Sequence, residues 1–151
     1  MRFEEQIQIQ ANKIKVWEFL QDVGRLAECI PGCQEMKEIS PEKQYALVIE
    51  ERIGPLRIHF ELDIEVVELR EAELMWLQVQ GSDKKLAAKS KGELKLELLE
   101  GNSSNETTLV LIAELQLTGK IASLGQAIIK RKVHEVTQAF AQEIKARLEN
   151  T

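Results

Sequence analysis

Lys120–Glu149 reads KIASLGQAIIKRKVHEVTQAFAQEIKARLE, and this stretch decides the fold. Ile121, Leu124, Ile128, Val136, Phe140, Ile144 and Leu148 recur at spacings of three and four, and Ile129 and Val133 broaden the row. That period lays one apolar stripe along a helix. No proline interrupts it, and Ala, Gln, Lys, Glu and Arg fill much of the rest, all strong helix formers. The spacing predicts one helix over the whole stretch, roughly 45 Å long at about 1.5 Å per residue. So long a helix in a chain of 151 residues needs a broad apolar surface to lie on.

The preceding residues supply one. Phe3, Ile7 and Ile9 alternate with polar neighbours from Arg2 to Gln10, the period of a half-buried strand. Asn12 offers a helix cap, and Ile14, Trp17 and Leu20 or Phe19 follow at helical spacing to about Asp22. Gly24 is expected to break that helix. Leu26, Ala27 and Ile30 predict a second short helix, ended by Pro31-Gly32. Period two then takes over. Short strands are expected at Met36–Ile39 and Tyr45–Arg52. Leu56 to Val66 gives the clearest alternation, with Arg57, His59, Glu61, Asp63 and Glu65 on the wet side. Leu74–Gln80 follows, with Gly81-Ser82-Asp83 read as a turn. Leu86–Leu98 and Leu109–Leu117 complete seven strands, and Gly101–Asn105 joins the last two. Short links make the strands antiparallel. Their apolar face must be covered, and only the terminal helix is large enough. The fold class is therefore α+β: a curved seven-stranded antiparallel sheet around a long C-terminal helix, one domain over residues 1–151. A curved sheet gripping one helix leaves a gap of the kind that holds ligands.

Candidate site residues follow from that geometry. Ala88, Ser90 and Gly92 form a small-residue row facing a helix that contains Gly125 and Ala127. Small residues leave space or allow a close backbone approach. The expected ligand-binding set is Ile58, Phe60, Leu62, Trp76, Ala88, Leu94, Leu111, Ile128 and Phe140. The two short helices and the Pro31-Gly32 turn are the expected entrance. The inward rows carry almost no titratable groups, so no catalytic residue is assigned and binding is expected rather than turnover. His59 and the carboxylates around it lie on the polar strand face. Cys29 and Cys33 give half of a zinc site with no second pair, so no metal and no cofactor are expected. A tight turn with Cys29 as a small apolar residue explains the two thiols, with a redox disulfide as the other reading.

Net charge is −5, which speaks against nucleic acid as the partner of the chain as a whole. From Gly119 onward, however, six basic residues stand against three acidic, and Lys130-Arg131-Lys132 run in a row. That run reads as a solvated helix face or as a contact patch for a partner or for lipid head groups. No apolar signal core opens the sequence and no stretch approaches eighteen consecutive apolar residues. A cytoplasmic location is expected.

Three motifs resemble one family. Val16-Trp17, Leu20, Asp22, Leu26 and Cys29-Ile30-Pro31-Gly32-Cys33 form the first. Gly54-Pro55 followed by Phe60 is the second. Leu117-Thr118-Gly119-Lys120-Ile121-Ala122-Ser123-Leu124-Gly125 is the third. Together they are similar to the carbon monoxide dehydrogenase G-subunit (CoxG) family of the START-like, polyketide cyclase-like (SRPBCC) superfamily. The pattern departs at Ala139-Phe140, where the family usually has an aromatic pair, and at Leu62, near which it commonly has glycine. The resemblance implies a helix-grip fold and a pocket for a lipophilic small molecule such as a quinone or lipid. It also implies an accessory role to a CO dehydrogenase-type molybdenum hydroxylase. Many members continue into a membrane-anchoring segment. Here the expectation is peripheral membrane contact without a transmembrane segment. The alternatives are a polyketide cyclase-like enzyme, or a docking protein for a partner enzyme or membrane surface.

Overall fold

The computed structural model describes residues 1–149. Strand β1 (Arg2–Ile9) leads into helices α1 (Lys13–Gln21) and α2 (Val23–Glu28). Strands β2 (Cys33–Ser40), β3 (Gln44–Ile53), β4 (Leu56–Arg70), β5 (Leu74–Asp83), β6 (Ala88–Glu100) and β7 (Thr107–Thr118) follow. A 3-10 segment (Lys120–Leu124) and helix α3 (Gln126–Glu149) end the described chain. The strands form one antiparallel sheet in the order β1-β7-β6-β5-β4-β3-β2. β1 and β2 are thus the two edges, and α1 and α2 carry the chain from one to the other. This is the helix-grip arrangement.

Alternation sets the sheet's two faces. On β4, Ile58 and Phe60 are buried while Arg57, His59, Glu61, Asp63 and Glu65 are exposed. Three boundaries differ from the expectation, each for a local reason. Gly24 lies inside α2 rather than ending α1. The break comes at Asp22, whose side chain accepts the Arg25 N–H at 3.3 Å and caps α2. Gly81-Ser82-Asp83 continues β5 rather than turning. The turn moves to residues 84–87 because the Asp83 carboxylate, 4% exposed, accepts N–H bonds from His59, Lys85 and Leu86 at 2.7, 3.1 and 3.3 Å. A buried carboxylate is tolerated when its oxygens are satisfied in this way.

The third difference concerns the terminal helix. Gly125, at φ +88°, divides the expected rod into the 3-10 segment and α3, because a residue in that region cannot continue a right-handed helix. The break resets the helical phase. Ile129, Ala141, Ile144 and Leu148 are buried, and Ile128 is turned outward, 37% exposed.

Polar contacts tie α3 to both sides of the sheet. Lys132 Nζ is 3.0 Å from Glu51 on β3, and His134 Nδ1 is 2.8 Å from Glu5 on β1. At the far end Arg147 meets Glu28 of α2 at 2.6 Å, and Lys15 donates to the Leu148 carbonyl at 3.0 Å. The more exposed of these pairs, His134–Glu5 and Arg147–Glu28, contribute about 0–1 kcal/mol each. Burying one Ile or Leu contributes roughly 1.5–3 kcal/mol, so the apolar stripe holds the helix and the polar contacts set its orientation.

The core falls into two clusters. The larger joins Ile9, Val16, Phe19, Leu20, Leu109 and Ile144, among others, under α1 and the second half of α3. The smaller gathers Ile53, Ile58, Phe60, Ala88 and Ile121 between the β3–β4 hairpin and the 3-10 segment.

Candidate ligand-binding cavity

Between the sheet and the middle of α3 lies a cavity of about 300 Å³. Leu47 of β3, Ile64, Val66 and Leu69 of β4, and Met75 and Leu77 of β5 floor it. Leu94 and Leu96 of β6, with Leu111 and Ala113 of β7, complete the floor. Val133, Val136, Thr137 and Phe140 of α3 roof it, and Val23, Leu26, Ala27, Ile30 and Pro31 close one side. Successive inward strand positions and one helix face supply these residues, as periods of two and 3.6 require. Of the lining residues only Gln21 and Glu42 are exposed, so they mark the rim.

The few polar groups in the wall are engaged locally. Thr137 Oγ1 donates to the Val133 carbonyl at 2.8 Å, within the helix. Glu42 sits in the β2–β3 turn at φ +61°, and its N–H donates to the Tyr45 hydroxyl at 3.1 Å. Burial, chiefly, pushes the Tyr45 phenol above its ordinary range, and the charges of Glu38 and Glu42 add to this. It therefore stays protonated near neutral pH. Such a wall can exclude water and hold an apolar body. It offers no poised base or nucleophile.

The expected ligand set divides on this geometry. Leu94, Leu111 and Phe140 line the cavity. Ile58, Phe60 and Ala88, with Leu62 packed against them, lie in the smaller core cluster instead. The small-residue row does not leave a hollow there. A Cβ on Gly81 would collide with Leu62 and come 2.7 Å from Ser90 Oγ, so the β4 side chains already fill that space. At Gly92 a Cβ would run into the Glu114 carbonyl of β7, so this glycine serves the close approach of two strands. Trp76 lies on the outer face of the sheet: its neighbours Met75 and Leu77 point inward, and Lys95 Nζ stands 4.7 Å from its ring centroid. Ile128 is outside the cavity for the reason of phase given above.

Sequence reasoning did not single out Tyr45, Leu47, Ile64, Met75, Leu96 or Val133 as lining. The usable signal was the alternation itself, carried far enough along each strand to lie under α2. The entrance fares differently. Ile30 and Pro31 of the Cys29–Cys33 turn sit at the cavity wall. Gly32, at φ +79°, lets that turn approach β3 so closely that a Cβ would collide with the Glu50 carbonyl. Both cysteines are free thiols, Cys29 buried and Cys33 partly so. Burial raises both above the usual thiol range, so neither is an activated nucleophile. Among the described residues no three of His, Cys, Asp and Glu come together as a metal-binding group, and no helix is long and apolar enough to cross a membrane.

The profile of one family, described as the carbon monoxide dehydrogenase G-subunit (CoxG), matches residues 6–149. The chain belongs to the CoxG family. No curated protein matches it in sequence. Among solved structures it is similar to a conserved protein from Geobacillus kaustophilus, at 21% identity and TM-score 0.89, covering 99% of this chain and 96% of that one. A START superfamily protein from Mycobacterium smegmatis aligns at 13% identity and TM-score 0.78, covering 99% and 97%. The Zhui aromatase/cyclase from Streptomyces sp. R1128 aligns at 12% and 0.73, covering 99% and 93%. At these identities the likeness places the fold. The CoxG family and the START-like fold together suggest a ligand-binding or accessory role.

Proposed function

We propose that this CoxG-family chain is a binding and delivery protein for a lipophilic small molecule and performs no chemistry on it. One observation carries the reading: a cavity of about 300 Å³ whose inner wall is apolar and whose polar groups sit at the rim or are engaged locally. That volume stands at the lower end of ligand pockets. It suits a single ring system or a short chain, with a longer tail leaving past Gln21 and Glu42. A quinone head group or a small lipid fits this description. Burial of apolar surface supplies the affinity, at about 25 cal/mol per Å² before the costs of association. The family suggests the recipient, a CO dehydrogenase-type molybdenum hydroxylase, with the single helix-grip domain acting as a cytoplasmic accessory.

The cyclase-like alternative requires a titratable side chain positioned for acid–base work. Tyr45 is the buried candidate, and its raised pKa leaves it a hydrogen-bond donor rather than a base. Native mass spectrometry of the purified chain, followed by solvent extraction, tests the proposal. A discrete added mass that extracts as a neutral lipophile is expected. A chain that stays at its bare mass after incubation with neutral quinones and lipids contradicts it.

A further inference from the structure

The cavity wall holds a hydrogen-bond donor that the protein itself leaves unused. The lining residues with polar side chains are Gln21, Glu42, Tyr45 and Thr137. Gln21 and Glu42 are exposed, so water competes for them. Thr137 spends its proton on the Val133 carbonyl. Tyr45 differs from all three. It is 5% exposed, and its hydroxyl oxygen accepts the Glu42 N–H at 3.1 Å. Its own proton meets no acceptor among the described residues. A buried donor without an acceptor is costly, and a ligand oxygen at that point removes the cost.

The donor is held in place. The Val66 N–H donates to the Lys43 carbonyl at 2.8 Å, which pins the β2–β3 turn to β4. Glu42 and Tyr45, the partners at the hydroxyl, both line the cavity, and exposed Glu42 marks the rim. The hydroxyl therefore stands at the mouth, with the apolar floor beyond it. The charges around it are negative. Glu38 is the register partner of Tyr45 across β2 and β3. The carboxylates of Glu38 and Glu42 act on the phenol, and no described cation counters them.

We propose that Tyr45 selects and orients the ligand of this cavity, its O–H donating to a neutral carbonyl oxygen on the mouth side of an otherwise apolar molecule. A carbonyl oxygen accepts without donating, which is what the unpartnered O–H requires. A carboxylate or phosphate would also accept, but it would lie beside Glu38 and Glu42, where like charges repel. A hydrocarbon would leave the buried proton unpaired. The inference rests on the lipophile-binding reading above and adds a fixed orientation to it: the carbonyl edge at Tyr45, the apolar body along Leu94 and Leu111 of the floor.

Isothermal titration with α-tetralone and tetralin, one ring system with and without a carbonyl, tests it. Tyr45→Phe should weaken α-tetralone about fivefold, as for one lost hydrogen bond, and leave tetralin within about twofold. Thr137→Val should change neither, since that proton is already used inside the helix. The anion α-naphthoate should bind the parent more weakly than its methyl ester. The carbonyl-carbon NMR resonance of labelled α-tetralone, with the parent chain in excess, reads the same bond without any variant. It should lie downfield of its position in hexane. An α-tetralone affinity unchanged by Tyr45→Phe, equal losses for the two probes, a hexane-like carbonyl resonance, or naphthoate bound as tightly as its ester would overturn the proposal while the cavity still binds. A parent chain that binds neither probe would overturn the lipophile-binding reading and this inference with it.

Discussion

The double variant Ala113→Trp/Val136→Phe is expected to lose at least tenfold in affinity for an apolar probe, about 1.4 kcal/mol, and to melt close to the parent. Ala113 on β7 and Val136 on α3 both line the cavity, from floor and roof. Aromatic rings there occupy volume that is otherwise open. Inserting bulk into a filled core costs about 1–3 kcal/mol, and an existing cavity spares most of that. Phe60→Trp makes the contrast. Phe60 is 6% exposed and belongs to the smaller cluster, against the 3-10 segment. This variant should lose stability by overpacking and keep its affinity. Isothermal titration with 2-methyl-1,4-naphthoquinone and thermal melting read both quantities. Reversal of the pattern would place the hollow at the other end of the helix.

Ile144→Ala should be the most costly single truncation on α3. Ile144 is fully buried in the larger cluster, where removing the side chain loses its transfer energy and leaves a void, about 2–5 kcal/mol. Against a total stability of about 5–15 kcal/mol, melting should fall on the order of 10 °C. Ile128→Ala should change stability by about 0.5 kcal/mol or less, since that side chain is 37% exposed and on the outer face. Equal effects at the two positions would mean that α3 is rotated from the phase described.

The fold was legible because its two periods are unambiguous. Leu56–Val66 cannot sit as a helix, and Ile129–Leu148 cannot sit as a strand. Strand ends were less legible, since they depend on single side chains acting over long range, as Asp83 does on His59. Of the expected binding set, Leu94, Leu111 and Phe140 line the cavity, while Ile58, Phe60, Leu62 and Ala88 lie in the smaller core cluster. Small residues at Ala88, Ser90 and Gly92 signal space only when nothing larger leans over them, and Phe60 and Leu62 do. Whether neighbouring side chains fill a gap depends on packing in three dimensions, which composition along one strand does not specify. Ile128 lies outside the cavity, 37% exposed: Gly125 can be accommodated in a helix or can end one, and local sequence does not decide between them.

The most direct test of the central claim is methyl NMR of the chain titrated with 2-methyl-1,4-naphthoquinone. The account predicts saturable shifts at Leu94, Leu96, Leu111, Val133 and Val136, with Ile58 and Ile121 unmoved. Shifts centred on Ile58 and Ile121, or no saturable shift at the cavity methyls, would contradict it.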